Sequence, residues 1–407
     1  MKINLMRQLD WWFGRPTCFL LSLLYDLTGC LRKRKSPVEN PKKILFIKLF
    51  GLGSIVLTYP AIRAVKETYP SAEIYFLTFE ENREICRLLD LASNRNIVTV
   101  RAGGIAVLLK EALGAFFLLR KAGVDVVVDF EFFSKMTAIF SLLICRKHRV
   151  GFSNRDIPGL RRASFIVHPV PYNHTLHISR SFFTLVESLG IRSDCYHFEV
   201  PLISNQDTRT IVLDKLQDAA GFEPAAQKLV LLNCNAGDLI SQRKWPLTHF
   251  AALAEKVLEA FPNALILFTG AKSERETTER AVRLVPNHGD RVRNIAGWFT
   301  IGELVELLSL ASVFVTNDSG PAHIAALTPI RTIILFGPET PELYRPISER
   351  ARCFYADTDC QPCVTVYNGK VSSCKDNTCL QAITPEEVFG EVARALQGEG
   401  AQPLGVH

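Results

Sequence analysis

The chain of 407 residues lacks an apolar run long enough to cross a bilayer. The best candidate, Thr17–Leu31, holds 15 residues and is interrupted by Asp26, against the roughly 20 apolar residues a spanning helix needs. There is no evident small-residue cleavage site near the N-terminus, and Asp10 falls early, which argues against a secretory leader and for a body that stays in the cytoplasm. The first glycine turn carries neither a full dinucleotide fingerprint nor a P-loop Gly-Lys-Ser/Thr. The body also lacks a net charge of one sign. The overall +6 is accounted for by residues 1–43, so nothing in the remaining charge balance points to nucleic acid. With 48% apolar and 22% charged residues, the composition excludes a disordered chain, a collagen-like chain and a small disulfide scaffold.

What is present begins with an amphipathic N-terminal pattern. Pro16 suits the first position of a helix, and Phe19, Leu20, Leu23, Leu24, Leu27 and Leu31 then share one face. Trp11, Trp12 and Phe13 precede this stretch and Arg32-Lys33-Arg34-Lys35 follow it. Aromatics at headgroup depth beside a basic cluster suit a helix lying in an anionic membrane surface; the competing reading packs the same helix on the protein's own core. Residues 1–40 are therefore expected to be a membrane-associating segment and basic linker.

From residue 41 the sequence alternates strand-like and helix-like segments. Ile44–Leu49, Glu73–Thr78, Ile97–Val100, Asp125–Phe130 and Arg149–Phe152 read as strands, separated by helical patterns that include Asn82–Leu91, Ile105–Ala122 and Phe132–Cys145. A second series follows with strands at Lys228–Cys234, Ala264–Thr269, Ser312–Asn317 and Arg331–Gly337. Between them lie helical patterns at Leu247–Phe261, Ser273–Leu284, Ile301–Leu310 and Ala322–Leu327, and Glu386–Leu396 reads as a terminal helix. Alternation of this kind predicts an α/β protein of two Rossmann-like, doubly wound parallel-sheet domains, over 41–203 and 204–397, with a tail at 398–407. Ligands of such sheets bind at the carboxyl ends of strands, and with two domains the expected site is the cleft between them.

Four segments carry candidate chemistry. Lys48-Leu49-Phe50-Gly51-Leu52-Gly53-Ser54 places glycines between a strand and a helix, where backbone can approach a ligand or simply turn tightly. Asn317-Asp318-Ser319-Gly320-Pro321-Ala322-His323 follows an apolar strand and opens a helix, a setting for phosphate and ribose contacts. Gln242-Arg243-Lys244-Trp245-Pro246 puts two bases at a strand end, suited to a pyrophosphate, and Gly270-Ala271-Lys272-Ser273-Glu274 offers Glu274 either to ribose hydroxyls or to its own helix start.

Together these segments resemble glycosyltransferase family 9, the lipopolysaccharide heptosyltransferases, over about residues 41–397. The family's SLGD turn, (S/T)KRWP segment, GG-x-x-E strand end, NDTGPMHLAAA helix start and LFGPT segment correspond to Phe50–Ser54, Gln242–Pro246, Gly270–Glu274, Asn317–Ala326 and Leu335–Thr340. The resemblance implies a GT-B fold with the donor in the C-terminal domain. It also implies inverting, metal-independent transfer of a sugar, heptose from ADP-heptose in the best-known members, to a lipopolysaccharide-core or lipid-linked glycan. The implied donor set is Arg243, Lys244, Glu274, Asp318, Ser319, Gly320 and His323, with Arg243 in place of the family's Lys and Ser319 in place of its Thr.

One departure concerns the chemistry. The family's proposed general base is the Asp of SLGD, and here that position is Ser54, whose hydroxyl does not titrate near neutrality. Asp129 and Glu131, at the end of a strand in the same domain, are the substitute candidates. Two alternatives stand beside them: a sugar-nucleotide-binding protein without efficient transfer, and a transferase using a UDP- or GDP-sugar. Gly51, Gly53, His174 and His177 are assigned to the acceptor side. Cys360, Cys363, Cys374 and Cys379 form a loose zinc-ribbon spacing, a candidate structural site for zinc or another metal; no cofactor is expected for catalysis. The expected location is the cytoplasmic face of the inner membrane, peripherally bound.

Overall fold

The computed structural model describes residues 8, 10–29, 38–145, 147–154, 162–237, 240–286, 289–356 and 358–398. It divides into two compact units, Met1–Phe198 and Glu199–His407, a boundary slightly earlier than the expected 203/204.

The first unit is built on six parallel strands: β1 (Lys43–Ile47), β2 (Glu73–Phe79), β3 (Ile97–Val100), β4 (Val126–Asp129), β5 (His148–Phe152) and β6 (His168–Val170). Their order is β3-β2-β1-β4-β5-β6. β1 pairs with β2 through Ile44↔Ile74 to Ile47↔Leu77 and with β4 through Ile44↔Val126 to Ile47↔Asp129. Ile44–Ile47 and Val126–Val128 are fully buried. Unbroken apolar runs of this kind are what a parallel sheet covered on both faces requires.

The second unit repeats the plan with β7 (Lys228–Asn233), β8 (Ala264–Phe268), β9 (Val292–Asn294), β10 (Val313–Asn317), β11 (Arg331–Phe336) and β12 (Ala351–Tyr355). The order β12-β11-β10-β7-β8-β9 is the same winding as in the first unit. In each sheet the direction of winding reverses between two central strands, β1 and β4 in one and β7 and β10 in the other. Such reversals open a crevice at the strands' carboxyl ends, the position where doubly wound sheets bind ligands.

The α/β, GT-B fold class expected from the sequence is thus present as two doubly wound sheets. Elements absent from the sequence reading are β6, β9 and β12 and the helices Ile178–Glu187 and Gln206–Ala220. The three strands all lie at sheet edges, are three to five residues long, and carry Pro169, Arg293 or Arg352. Short polar edge strands lack the apolar signature of central ones.

The N-terminal segment forms a π-helical turn, Asp10–Gly14, and a helix, Arg15–Gly29. Its contact with the first unit uses the stripe Cys18, Leu21 and Tyr25, which packs on Ala138, Ile139 and Phe165. Polar contacts add to it. Tyr25 Oη lies 3.3 Å from an Arg149 guanidinium nitrogen, and the Cys18 thiol donates to the Arg162 carbonyl (3.2 Å). Phe19, Leu20, Leu23, Leu24 and Leu27, the stripe singled out from the sequence, are exposed. Arg32–Lys35 and Leu31 lie outside the described residues, as do 399–407 of the expected tail. No helix among the described residues is long and apolar enough to cross a membrane.

Candidate functional site

In the first unit, the reversal point brings the β1 and β4 ends together. Glu131, just beyond β4, is buried, and its Oε1 collects three donors: the Lys48 ammonium (3.0 Å), Leu49 N–H (2.7 Å) and Phe50 N–H (3.0 Å). The backbone leading into the Gly51 turn is therefore fixed by a charged acceptor, roughly twice as strong as a neutral one. Gly51 has φ +83°, and a Cβ there would sit 3.1 Å from Ser54 Oγ, so the turn favours glycine on both conformational and steric grounds. Gly53 and Ser54 lie in the first turns of the short Leu52–Val56 helix that follows.

Asp129 has a different role from Glu131. Its carboxylate is 2% exposed and is ion-paired with Arg162, which is wholly buried. Arg162 also donates to the carbonyls of Glu131 (2.8 Å) and Ser134 (2.7 Å), and Asp129 Oδ1 accepts Glu131 N–H (3.0 Å). Burial pushes the Asp129 carboxyl up from its usual range, and Arg162 opposes that. Fully enclosed and matched to one guanidinium, Asp129 anchors the chain after β4. The partner that encloses it comes from a distant loop, so no local spacing reveals the pairing. His177 is likewise committed locally: its Nδ1 accepts Ser179 N–H (3.3 Å) as the cap of the Ile178–Glu187 helix, and its ring meets Phe198 edge-on. His174 is exposed on the preceding turn.

In the second unit, Asn317 ends β10 and organises its surroundings. Its Oδ1 accepts Trp245 N–H (2.9 Å) and its Nδ2 donates to the Asn235 carbonyl (3.4 Å), tying together the segments after β7 and β10. The buried Trp245 indole donates to the Ile383 carbonyl (2.9 Å). The Arg243–Lys244 pair is thereby held on a rigid loop rather than free in solvent.

Arg243 points inward to two carboxylates. It pairs with Glu339 and lies 3.6 Å from Asp318. Lys370 reaches the other Glu339 oxygen at 2.9 Å and sits over the Tyr344 ring, 4.1 Å from its centroid. Burial pushes the Asp318 carboxyl above its usual range, with Arg243 and Lys370 pulling the other way. The His323 imidazole is pushed down to about 3, mainly by burial and secondarily by Arg243, so it is neutral at physiological pH. His323 Nδ1 is buried with no hydrogen-bond partner among the described residues. A buried polar atom left unpaired costs about 1–3 kcal/mol, and a ligand that supplies a partner recovers it. Ser319 takes the N-cap position of the Gly320–Ala325 helix in an extended conformation with no side-chain bond to the helix, its Oγ instead 3.2 Å from Thr316 Oγ1.

The structure therefore assembles Arg243, Asp318, Ser319, Gly320 and His323 in one place. Glu274 is different: its Oε2 accepts Ala271 N–H (2.8 Å), the local helix-start role that the sequence left open. Gly270 beside it is closely packed, since a Cβ would meet Asn235 Nδ2 at 2.8 Å and force that amide to move. Glu339 and Lys370 were missed. Glu339 lies inside the segment aligned with LFGPT, where a charged residue ahead of Thr340 was a visible oddity. Lys370 carried no signal, because a base in a polar loop looks solvated until its partner is known.

The structural metal expected at the cysteine segment is not supported. Among the described residues no group of three or more His, Cys, Asp or Glu side chains is arranged to hold a metal ion. The thiols have separate local partners: Cys360 beside Thr358 Oγ1 (3.7 Å), Cys363 beside Ser372 Oγ (3.6 Å), and Cys374 donating to the Asp376 carbonyl (3.0 Å). Cys379 is buried in the hydrophobic core. Burial pushes its thiol up to about 11, and the three neighbouring cysteines add to the shift. The segment instead braces the site. Gln361 Nε2 donates to the Gly337 carbonyl (2.7 Å), Gln242 Nε2 to the Cys374 carbonyl (2.7 Å), and Asn377 Nδ2 to the Lys244 carbonyl (2.7 Å). These bonds clamp both loops that carry Arg243 and Glu339.

Comparison with known proteins places most of the chain beside one family. Residues 118–370 match the family model described as glycosyltransferase family 9 (heptosyltransferase). The chain is 21% identical to lipooligosaccharide heptosyltransferase 2 of Campylobacter jejuni, over 85% of this chain and 96% of that protein. Among solved structures, a family 9 glycosyl transferase from Veillonella parvula superposes with TM-score 0.72 at 17% identity, covering 90% of this chain and all (100%) of that one. The ADP-heptose heptosyltransferase II of Escherichia coli gives 0.67 at 19% identity, covering 88% and 100%.

Proposed function

The chain belongs to glycosyltransferase family 9, the heptosyltransferases, and from that premise we propose that it transfers heptose from ADP-heptose to a lipopolysaccharide-core acceptor. The observation that carries this reading is the buried constellation of Arg243, Asp318 and His323 at the end of β10, braced by Glu339 and Lys370. Two cations fixed by buried carboxylates suit a nucleotide diphosphate, and the unpartnered His323 nitrogen awaits a polar group of the ligand. Relatives named for heptose transfer, one of them for ADP-heptose, supply the sugar and the nucleotide.

In an inverting transfer the acceptor hydroxyl oxygen attacks the anomeric carbon while the bond from that carbon to the diphosphate breaks. ADP leaves with the bonding electrons, and the hydroxyl proton passes to a base. Arg243, helped by Lys370, stabilises the negative charge that grows on the leaving diphosphate. Glu131 is the carboxylate bonded to the Gly51 turn and is assigned the proton in place of the family's aspartate, which is Ser54 here. The rival reading, donor binding without efficient turnover, draws its support from Ser54 and from the cysteine cluster. The same proposal puts the protein at the cytoplasmic face of the inner membrane, peripherally, where such an acceptor is built; the exposed apolar stripe on the Arg15–Gly29 helix supports it.

Equilibrium binding of ADP-heptose beside ADP-, UDP- and GDP-sugars, on wild type and Asp318→Ala, tests the donor. Preference for ADP-heptose that Asp318→Ala abolishes supports the proposal. Equal or absent binding of all donors defeats it.

A further inference from the structure

Of the 22 large apolar side chains that are exposed among the described residues, 16 belong to three neighbouring elements of the first unit. They are Trp11–Leu27 of the N-terminal segment, the Ile105–Ala122 helix and the Lys135–Ile144 helix. The last of these lies between the other two and packs against both. On the Ile105–Ala122 helix, Leu109, Leu113 and Phe117 are exposed at i, i+4, i+8 spacing, one continuous stripe. On the Arg15–Gly29 helix, the outward residues are Phe19, Leu20, Leu23, Leu24 and Leu27. That helix already satisfies its own domain through Cys18, Leu21 and Tyr25, so the outward stripe is surplus to folding. A clustered apolar surface of this kind marks an interaction site.

We propose that these three helices form a single face that docks on an anionic lipid bilayer surface. The proposal deepens the peripheral membrane location argued above and rests on that reading. It adds that the Ile105–Ala122 helix, in the body of the first unit, shares the work with the N-terminal segment. The chemistry of the rim favours lipid over protein. Trp11 and Trp12 are exposed at one end, with the Arg15 guanidinium 5.5 Å from the Trp11 ring centroid, a pairing suited to headgroup depth. Exposed bases Arg15, Lys110, Arg120 and Lys121 border the stripes, against one exposed acid on the N-terminal helix, Asp26. The acid on the Ile105–Ala122 helix, Glu111, is paired with Arg101 (2.9 Å), and Asp10 is spent capping the Lys135–Ile144 helix. A net basic rim complements phosphatidylglycerol or cardiolipin. In a two-fold dimer the same rim would meet its own like charges. Arg32–Lys35 follow in sequence and lie outside the described residues.

The test uses the full chain and sedimentation with vesicles of phosphatidylcholine, alone or mixed with phosphatidylglycerol. Two triple variants are compared: Leu109→Gln, Leu113→Gln, Phe117→Gln on one helix, and Leu20→Gln, Leu23→Gln, Leu27→Gln on the other. Wild type is expected to bind the mixed vesicles more tightly, and each triple variant to lose about tenfold or more in partition. Leu202→Gln with Ile211→Gln, exposed in the second unit, is expected to bind as wild type. Unchanged binding of the 109/113/117 variant overturns the shared face. So does failure of wild type to bind any vesicle, or a dimer in sedimentation velocity that the triple variants dissociate. Turnover on a deacylated, soluble acceptor is read separately. If wild type binds vesicles but turns over no such acceptor, the transferase reading falls and the docking face stands.

Discussion

Glu339 is the buried counter-ion of Arg243, and the same carboxylate holds Lys370 through its other oxygen at 2.9 Å. One fully enclosed negative charge thus fixes two cations that come from separate loops. Such a group is expensive to bury and expensive to remove, because its loss leaves uncompensated charge. Glu339→Gln is expected to lower unfolding free energy by about 3 kcal/mol, measured by urea denaturation of the folded full-length chain. A change under about 0.5 kcal/mol would mean that the pair is solvated and does not define the site.

Arg243→Ala is expected to weaken ADP binding about 10- to 100-fold, the cost of losing a hydrogen bond to a charged group. Arg243→Lys should recover part of this, since charge remains while the planar fork is lost. Isothermal titration reads both. Equal affinity in Arg243→Ala and wild type would move the diphosphate elsewhere.

How far the sequence foretold this site depends on where each signal lay. Central strands were legible because parallel sheets bury both faces, so β1, β4, β7 and β10 show as unbroken apolar runs. β6 and β12 were not, because edge strands tolerate His168, Pro169 and Arg352. Asn317–His323 was legible as a strand end running into a helix start. The role of Asp129 was not, since its enclosure depends on Arg162, 33 positions away. Lys370 was hidden for the same reason, lying 31 positions from Glu339. Local pattern reveals elements and their ends; it does not reveal which distant charge closes over a carboxylate.

The two carboxylates after β4 should separate in their effects. Glu131→Gln is expected to lower kcat by about 100-fold or more, the range of a lost general base. Ser54→Asp introduced into Glu131→Gln should restore part of the rate by returning a carboxylate to the turn. Asp129→Asn should appear as lost stability, about 3 kcal/mol for a broken buried pair. If Glu131→Gln keeps full activity in initial-rate assays, Glu131 serves only to hold Leu49 and Phe50.

His323 makes a pH signature with a definite sign. Its folded pKa of about 3 lies below the ordinary 6.5, so between those values the unfolded chain binds a proton that the folded chain refuses. Its contribution is complete above about pH 6.5 and is lost as pH falls toward 3. Asp318, raised by burial, opposes this by favouring protonation in the fold. The isolating measurement is therefore the difference between wild type and His323→Gln. Wild type should lose stability more steeply on acidification, by up to one proton's slope. Parallel curves would show that His323 is solvated in solution.

Asp10 ties the N-terminal segment to the first unit by a helix cap. Its carboxylate accepts Lys135 N–H (3.1 Å) and Met136 N–H (2.8 Å), two of the free donors that begin the Lys135–Ile144 helix. Ser134 adds the local cap to Thr137 N–H (3.2 Å), so the helix start is served by one residue from its own chain segment and one from 125 positions earlier. A negative charge at that end also meets the favourable pole of the helix dipole. Asp10→Ala is expected to cost about 1 kcal/mol, and Asp10→Asn less, because the amide keeps an acceptor but not the charge. Limited proteolysis should then cut the variant faster on the N-terminal side of Pro16, while donor affinity, set in the other unit, stays unchanged. Equal cleavage rates in Asp10→Ala and wild type would mean that the helix is held by Cys18, Leu21 and Tyr25 alone.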